Sequence, residues 1–244
     1  MPLNASFVRR LHRRLLLGER APTVLQQVVK RQAARYEMFG CANEYIRFEA
    51  IEGDILEFGV FTGLSLALLA HTYQHNATPD LPRRVVGFDS FAGLAKDQEG
   101  HARWKPTDGA VNHSWHPLLP VGAPVTPQVT LDLFAACQLP VPQLEVGPYP
   151  ETLPRAIGTK YAKVALVHID CDLYEATHDV LTGIEGVLQD GAMMLFDDWF
   201  HYRGHPGKGE ARAFAEFLQQ HPHWQAIHYR TYGTFCNAFI LHRR

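Results

Sequence analysis

Apolar positions in this chain cluster into short continuous runs, each followed by a longer stretch with helical spacing. Val164 to Ile169 is such a run, and Tyr174 to Leu188 follows it with apolar residues at helical intervals. Ala192 to Phe196 is a second run. Short runs rich in Val, Ile and Leu predict parallel strands buried on both faces. Upstream, Ile55 to Phe58, Arg84 to Phe88 and Leu144 to Val146 read as further strands. Helical patterns cover Thr23–Phe39, Ala42–Ala50, Ser65–Gln74, and Leu131–Leu139 with Thr130 as cap. Two more begin at Glu151 and at Gly207, the latter reaching Gln219 with Phe214 and Phe217 inward. Gln225–Arg230 and Thr234–His242 flank the short Tyr232-Gly233 turn, so they are expected to pair antiparallel. The sum is five β-α units and a closing hairpin. It predicts a Rossmann-like α/β sandwich of seven mostly parallel strands with one antiparallel strand.

Two stretches depart from this rhythm. Phe7 to Arg20 alternates apolar residues with Arg9, Arg10, Arg13, Arg14 and Arg20, as a basic amphipathic helix does. It reads either as a membrane-surface or targeting helix, or as a solvated helix packing its Leu face on the domain or on a second subunit. Leu15-Leu16-Leu17 is too short for a signal-peptide core, which favours packing. Ala95 to Pro127 holds Gly, Pro and Asn with Trp104, Trp115, His101, His113 and His116. A connection this long in an α/β domain is a lid, a binding loop or a disordered segment, and the aromatics favour a lid. Its histidines lack metal-ligand spacing.

Composition narrows the classes. The chain has 244 residues, 46% hydrophobic, and a formal net charge of −2. There is no global basic field for nucleic acid. No apolar run reaches the roughly 20 residues that span a bilayer. Cys41, Cys137, Cys171 and Cys236 are scattered without pairing motifs, which fits a reducing, cytoplasmic compartment. The expected organisation is a single domain over 1–244. It has an N-terminal helical extension over 1–50 and a lid or substrate loop over 95–127.

The candidate chemistry lies at strand ends. The Val164–Ile169 strand runs into Asp170-Cys171-Asp172, and the Ala192–Phe196 strand into Asp197-Asp198. In open α/β sheets ligands bind at that edge. Carboxylates converging there repel unless a cation or protons hold them. A divalent-metal site follows as the working expectation. The first strand continues through Glu57-Phe58-Gly59-Val60-Phe61-Thr62-Gly63 into a helix near Ser65. Its glycines admit a ligand to the backbone, and the helix N-terminus offers N–H groups to an anion. An ordinary tight turn explains the same residues. The spacing is not G-x-G-x-x-G, which argues against a dinucleotide. Asp89-Ser90 ends the second strand, where a carboxylate suits a ribose diol.

Asp170 and Asp172 have competing explanations. Helix capping accounts for one of them and leaves Asp197-Asp198 unexplained. A D-x-D glycosyltransferase metal motif leaves the Glu57–Gly63 turn and Asp89 unexplained. A haloacid-dehalogenase-type loop needs Thr or Val where Tyr174 stands. A mononucleoside pocket beside a metal uses every one of these residues.

Five ordered blocks then carry a resemblance: ILEFGVFTGLSL, VVGFDSFAGL, VGPYPETLP, VHIDCDLYEATHDVL and GAMMLFDDWF. In order and spacing they resemble the macrocin-type O-methyltransferases, the TylF/MycF/NovP group. The resemblance spans roughly Tyr45 to Phe217. It implies a class I methyltransferase fold. It also implies methyl transfer from S-adenosylmethionine, with Mg2+, to a deoxysugar hydroxyl of a natural product. By the motif match, Glu57 through Gly63 would line the methionine end of the cofactor, and Ser65 would meet its carboxylate. Asp89 with Ser90 would hold the ribose, and Gly147 to Tyr149 would lie near the adenine. Asp170, Asp197 and Asp198 would ligate Mg2+, Asp170 also touching the cofactor, and Asp172 would be the general base. Leu173 stands where catechol-type relatives carry a Lys base. The family resemblance and the apolar N-terminal helices suggest a homodimer or larger. A non-catalytic cofactor-binding protein is a third reading, which the intact acidic set disfavours.

Overall fold

The computed structural model describes residues 21–98, 100, 105 and 107–244. The basic Phe7–Arg20 stretch, His101 and Trp104 therefore lie outside the described residues.

Two helices open the described chain, α1 (Thr23–Arg31) and α2 (Ala33–Phe48). Then come β1 (Asp54–Phe58), α3 (Leu64–Asn76), β2 (Val85–Asp89), α4 (Pro127–Ala136), β3 (Gln143–Val146) and α5 (Tyr149–Ala156). They are followed by β4 (Val164–Ile169), α6 (Tyr174–Ile184), β5 (Leu188–Phe196), α7 (Gly209–Gln220), β6 (Trp224–Tyr232) and β7 (Cys236–Arg243). The strands form one seven-stranded sheet in the order β3-β2-β1-β4-β5-β7-β6. β1 to β5 pair in parallel, and β7 runs antiparallel between β5 and β6. The expected sandwich, with its single reversed strand, is the one observed.

Each strand alternates its side chains between two apolar layers. Ile55, Leu166, Met193 and Leu195 face α1 to α4. Leu56, Phe58, Val167, Ile169, Met194 and Phe196 face α5 to α7. Every residue of β1 and β4 is buried, the polar Asp54, Glu57 and His168 included, as central parallel strands covered on both faces require.

Several boundaries differ from expectation. The N-terminal helix break falls at Gln32 rather than near Gly40. Gly40 stays inside α2 because Phe39, Ala42 and Asn43 around it are packed, and packing overrides a weak helix former. α4 begins at Pro127, with Thr126 in cap position, instead of at Leu131. Proline suits a first helical turn because no N–H is needed there. Thr130 is buried within α4 and is not its cap. α6 stops at Ile184, and β5 extends back to Leu188, so the sheet claims residues that carry a helical pattern.

Two loops shape the edge. Described residues of the long connection from Ser90 to Thr126 are tied to the body: Gln98 N–H donates to Glu175 Oε1 at 2.8 Å, and Arg31 lies over the Trp115 ring at 4.9 Å. Val111 bridges Pro124 within the connection itself. His116 Nδ1 accepts the N–H groups of Leu118 and Leu119, which folds the connection back on itself. After β5, a short turn over His201–Gly204 holds Tyr202 and Arg203 at positive φ.

Candidate active site

The strand order reverses between β1 and β4, since β2 and β3 lie on one side and β5 on the other. A crevice opens at such a switch point, beyond the C-terminal strand ends. The glycine turn after β1 and the Asp170-Cys171-Asp172 segment after β4 meet there. Gly59 has φ +90, and a Cβ built on it would stand 1.8 Å from the Asp170 carbonyl oxygen. Only glycine allows this contact. Gly63, at φ +83, caps α3 beside the Thr130 side chain. Among non-glycine residues, Phe61, Phe91, Asp172, Tyr202 and Arg203 take positive φ along this same edge. Such backbone is retained where the surroundings impose it, and it gathers at functional sites.

Asp89 organises the turn. Its Oδ2 accepts Phe61 N–H and its Oδ1 accepts Phe91 N–H, both at 2.7 Å. Each oxygen keeps a lone pair for a ligand hydroxyl. Ser90 Oγ accepts the N–H of Ala92. Glu57 is fully buried at the end of β1. Ser65 Oγ donates to its Oε1 at 2.9 Å, and His168 Nδ1 meets its Oε2 at 3.2 Å. Ser65 thus faces Glu57 rather than standing free. Tyr149 opens α5 just after Gly147, packs edge-on against Phe58 and sets its hydroxyl 3.4 Å from Cys171 Sγ. Val60 and Thr62 are buried in the turn itself.

The acidic residues converge in two linked groups. His168, Asp170 and Asp197 present ligand atoms within 4.8 Å of one another, and so do Asp172, Asp198 and His201. Asp172 N–H donates to Asp198 Oδ2 at 3.1 Å within the second group; the groups adjoin because Asp197 and Asp198 are consecutive at the end of β5. His201 Nδ1 lies 3.2 Å from Asp198 Oδ1. The Asp198 N–H donates to Glu210 Oε2, on α7, at 2.9 Å. Asp197 is held differently. Arg35, from α2, donates from Nε to Asp197 Oδ1 at 2.6 Å and from Nη2 to Oδ2. Cys236 Sγ reaches Asp197 Oδ1 at 3.2 Å, and His168 Nε2 stands 3.7 Å from the same atom.

The electrostatics follow from burial and crowding. Burial, then repulsion by Asp197, pushes Asp170 well above the usual carboxylate range. Burial and Asp172 do the same to Asp198; burial and Asp198 do it to Glu210. Asp172 is pushed up to about 7 by burial and by Asp170. Asp197 alone goes the other way: burial opposes its charge, but His168 and Arg35 outweigh it. Burial likewise opposes a charge on His168, yet Asp197 and Glu57 raise its pKa to about 10, which favours the charged ring. The carboxylates outnumber the cations facing them. Crowded, buried carboxylates short of positive charge fit a hard divalent cation, with His168 and His201 as the nitrogen donors among them. Of the expected Mg2+ ligands, Asp170 and Asp197 fall in the first group, while Asp198 falls in the second, beside Asp172 and His201.

No pattern along the chain assigned a role to Arg35, His168, His201, Tyr202 or Glu210. Tyr202 donates to the Asp172 carbonyl oxygen at 3.1 Å. A signal existed for Glu210 alone: it is a charged residue on the apolar face that carries Phe214 and Phe217.

Residues 10–223 match the profile of a protein family described as macrocin-O-methyltransferase (TylF). A curated relative from Streptomyces olivaceus is 8-demethyl-8-(2,3-dimethoxy-alpha-L-rhamnosyl)-tetracenomycin-C 4'-O-methyltransferase. It is 28% identical over 192 residues, 75% of this chain and 66% of that protein, so just under two thirds of its length is spanned. The solved O-methyltransferase NovP superposes with a TM-score of 0.65 at 22% identity, over 86% of this chain and 80% of its own. CalS11, a calicheamicin methyltransferase, superposes with a TM-score of 0.65 at 22% identity, over 98% and 93%. These structures share the fold described above.

Proposed function

This chain belongs to the macrocin-O-methyltransferase (TylF) family, and from that premise we propose that it methylates a sugar hydroxyl of a glycosylated natural product. S-adenosylmethionine is the proposed donor. One observation carries the reading: the glycine turn touches the acidic segment at the strand-order switch, Gly59 lying directly against Asp170. A methyl donor lying along the turn would thus end beside the carboxylates that receive the acceptor. The curated relative acts, by its name, on a rhamnosyl group, and the acceptor class is taken from there.

Each residue has a distinct task in this reading. The Glu57–Gly63 turn admits the methionine end of the donor, and Ser65 fixes Glu57. Asp89 offers its remaining lone pairs to the ribose hydroxyls. Tyr149 and Gly147 border the adenine. Asp170, Asp197 and Asp198 would hold Mg2+, which when bound would polarise the acceptor hydroxyl as a Lewis acid and orient it. Asp172 takes the hydroxyl proton. Its burial and its tie to Asp198 keep it in place, and holding both partners in line is worth much of the barrier. The described part of the connection from Ser90 to Thr126 would help to exclude water from the crevice.

The deciding experiment is calorimetric titration of S-adenosylmethionine into the apo protein, with and without Mg2+, beside UDP-sugars. Cofactor binding without a UDP-sugar response, followed by methylation of a rhamnoside, is the expected outcome. A metal-dependent UDP-sugar signal with no cofactor binding would instead support the D-x-D glycosyltransferase reading.

A further inference from the structure

We propose that Arg35 is the cation that neutralises the acidic cluster when metal is absent, and that it must release Asp197 for Mg2+ to bind. The inference rests on the Mg2+ reading above and adds a residue that reading lacked.

Arg35 sits in the first turns of α2, far in sequence from β5, yet its guanidinium takes both oxygens of Asp197. Two parallel N–H donations to one carboxylate form the strongest geometry an Arg offers. The same Nη2 stands 3.8 Å from Asp170 Oδ2, so the charge faces two of the three expected metal ligands. Asp197 Oδ1 also receives Cys236 Sγ at 3.2 Å and has His168 Nε2 at 3.7 Å. Few lone pairs on Asp197 are left for a metal.

A guanidinium does not lose its proton in proteins. A divalent ion ligated by Asp170 and Asp197 would therefore stand beside a fixed positive charge. At such separations, and partly screened from water, like charges repel strongly. The two cations exchange rather than share the carboxylate. Arg35 has somewhere to go, since its side chain is 28% exposed. Its Nη1 is already held by Gln32 Oε1 at 3.1 Å, at the break between α1 and α2. The neighbouring Arg31 lies over Trp115 of the long connection.

The test compares wild type with Arg35→Met and Arg35→Lys by Mg2+ calorimetry and by metal-free thermal unfolding. Arg35→Met should bind Mg2+ about tenfold more tightly or better, an ordinary size for competition between two ligands. Its metal-free form should melt lower, and added Mg2+ should raise its Tm by more than it raises wild type's. Arg35→Lys, which keeps the charge without the fork, should lie between. In wild type, the Arg35 Nε–H signal in 15N spectra should shift or broaden as Mg2+ is added, a reading that needs no variant. Unchanged or weaker Mg2+ binding by a folded Arg35→Met would overturn the proposal and leave the metal site standing. Absence of Mg2+ binding in wild type and variant alike would overturn both.

Discussion

At the residue scale, the acidic edge separates into ligands, a base and the groups that hold them. Asp172→Asn is expected to keep Mg2+ affinity and lose about 10²–10⁴-fold in kcat, the usual worth of a general base. Equal loss of metal affinity and rate would merge the two roles. Asp198→Asn should abolish Mg2+-dependent turnover while S-adenosylmethionine binds nearly as before, and normal turnover would remove Asp198 from the metal set. His168 tests the supports. It is completely buried between Glu57 and Asp197. His168→Leu leaves the buried Glu57 Oε2 without its partner and should cost about 1–3 kcal/mol in denaturant unfolding. The acidic residues themselves were legible in the sequence, because each closes a short apolar run. Arg35 and His168 were not legible in their roles, because an Arg on a helix and a His in a strand are ordinary until their partners are known.

At the element scale, the turn between β1 and α3 is the narrowest fit in the fold. Gly59→Ala would need a Cβ where the Asp170 carbonyl lies, so the ends of β1 and β4 would have to part. It should lower stability and weaken S-adenosylmethionine binding together. Gly122 also has positive φ, but a Cβ there would meet nothing within 4 Å. Gly122→Ala should therefore cost only backbone strain, about 1 kcal/mol, with cofactor affinity unchanged. Equal effects of the two changes would contradict the close approach. The strand–turn–helix order of this unit was readable from apolar spacing and glycine. The break at Gln32 and the early start of α4 at Pro127 were not, since neighbouring packing and proline geometry decided them.

At the scale of the whole molecule, buried charge sets the pH response. His71 on α3 is nearly enclosed, its Nε2 has no partner, and burial with the nearby His75 lowers its pKa to about 4. An unfolded His titrates near 6.5. Between about 6.5 and 4 the unfolded chain binds a proton that the folded chain refuses, so stability falls as pH falls through that window. His71→Gln should flatten this limb by about one proton, measured by denaturant unfolding from pH 7 to 4; an unchanged slope would clear His71. The acidic edge has the opposite sign. Asp170, Asp198 and Glu210 hold their protons to higher pH when folded than when unfolded. Their contribution is lost as pH rises through the folded values. Mg2+ must displace such protons, so its affinity should climb with pH.

The sequence by itself determined which segments become strands, which strand ends carry acid, and where the backbone must be glycine. Those are local properties, written in the period of apolar residues and in the residue types that a turn permits. The tertiary structure alone decided how charge is balanced at the edge. Arg35 reaches Asp197 across 162 positions, Glu57 meets His168 across 111, and Glu210 holds the Asp198 backbone from a separate helix. Such pairings depend on the order of strands in the sheet and on which helices cover it. No period along the chain encodes either, because the free energy that selects them comes from burying the whole sheet at once.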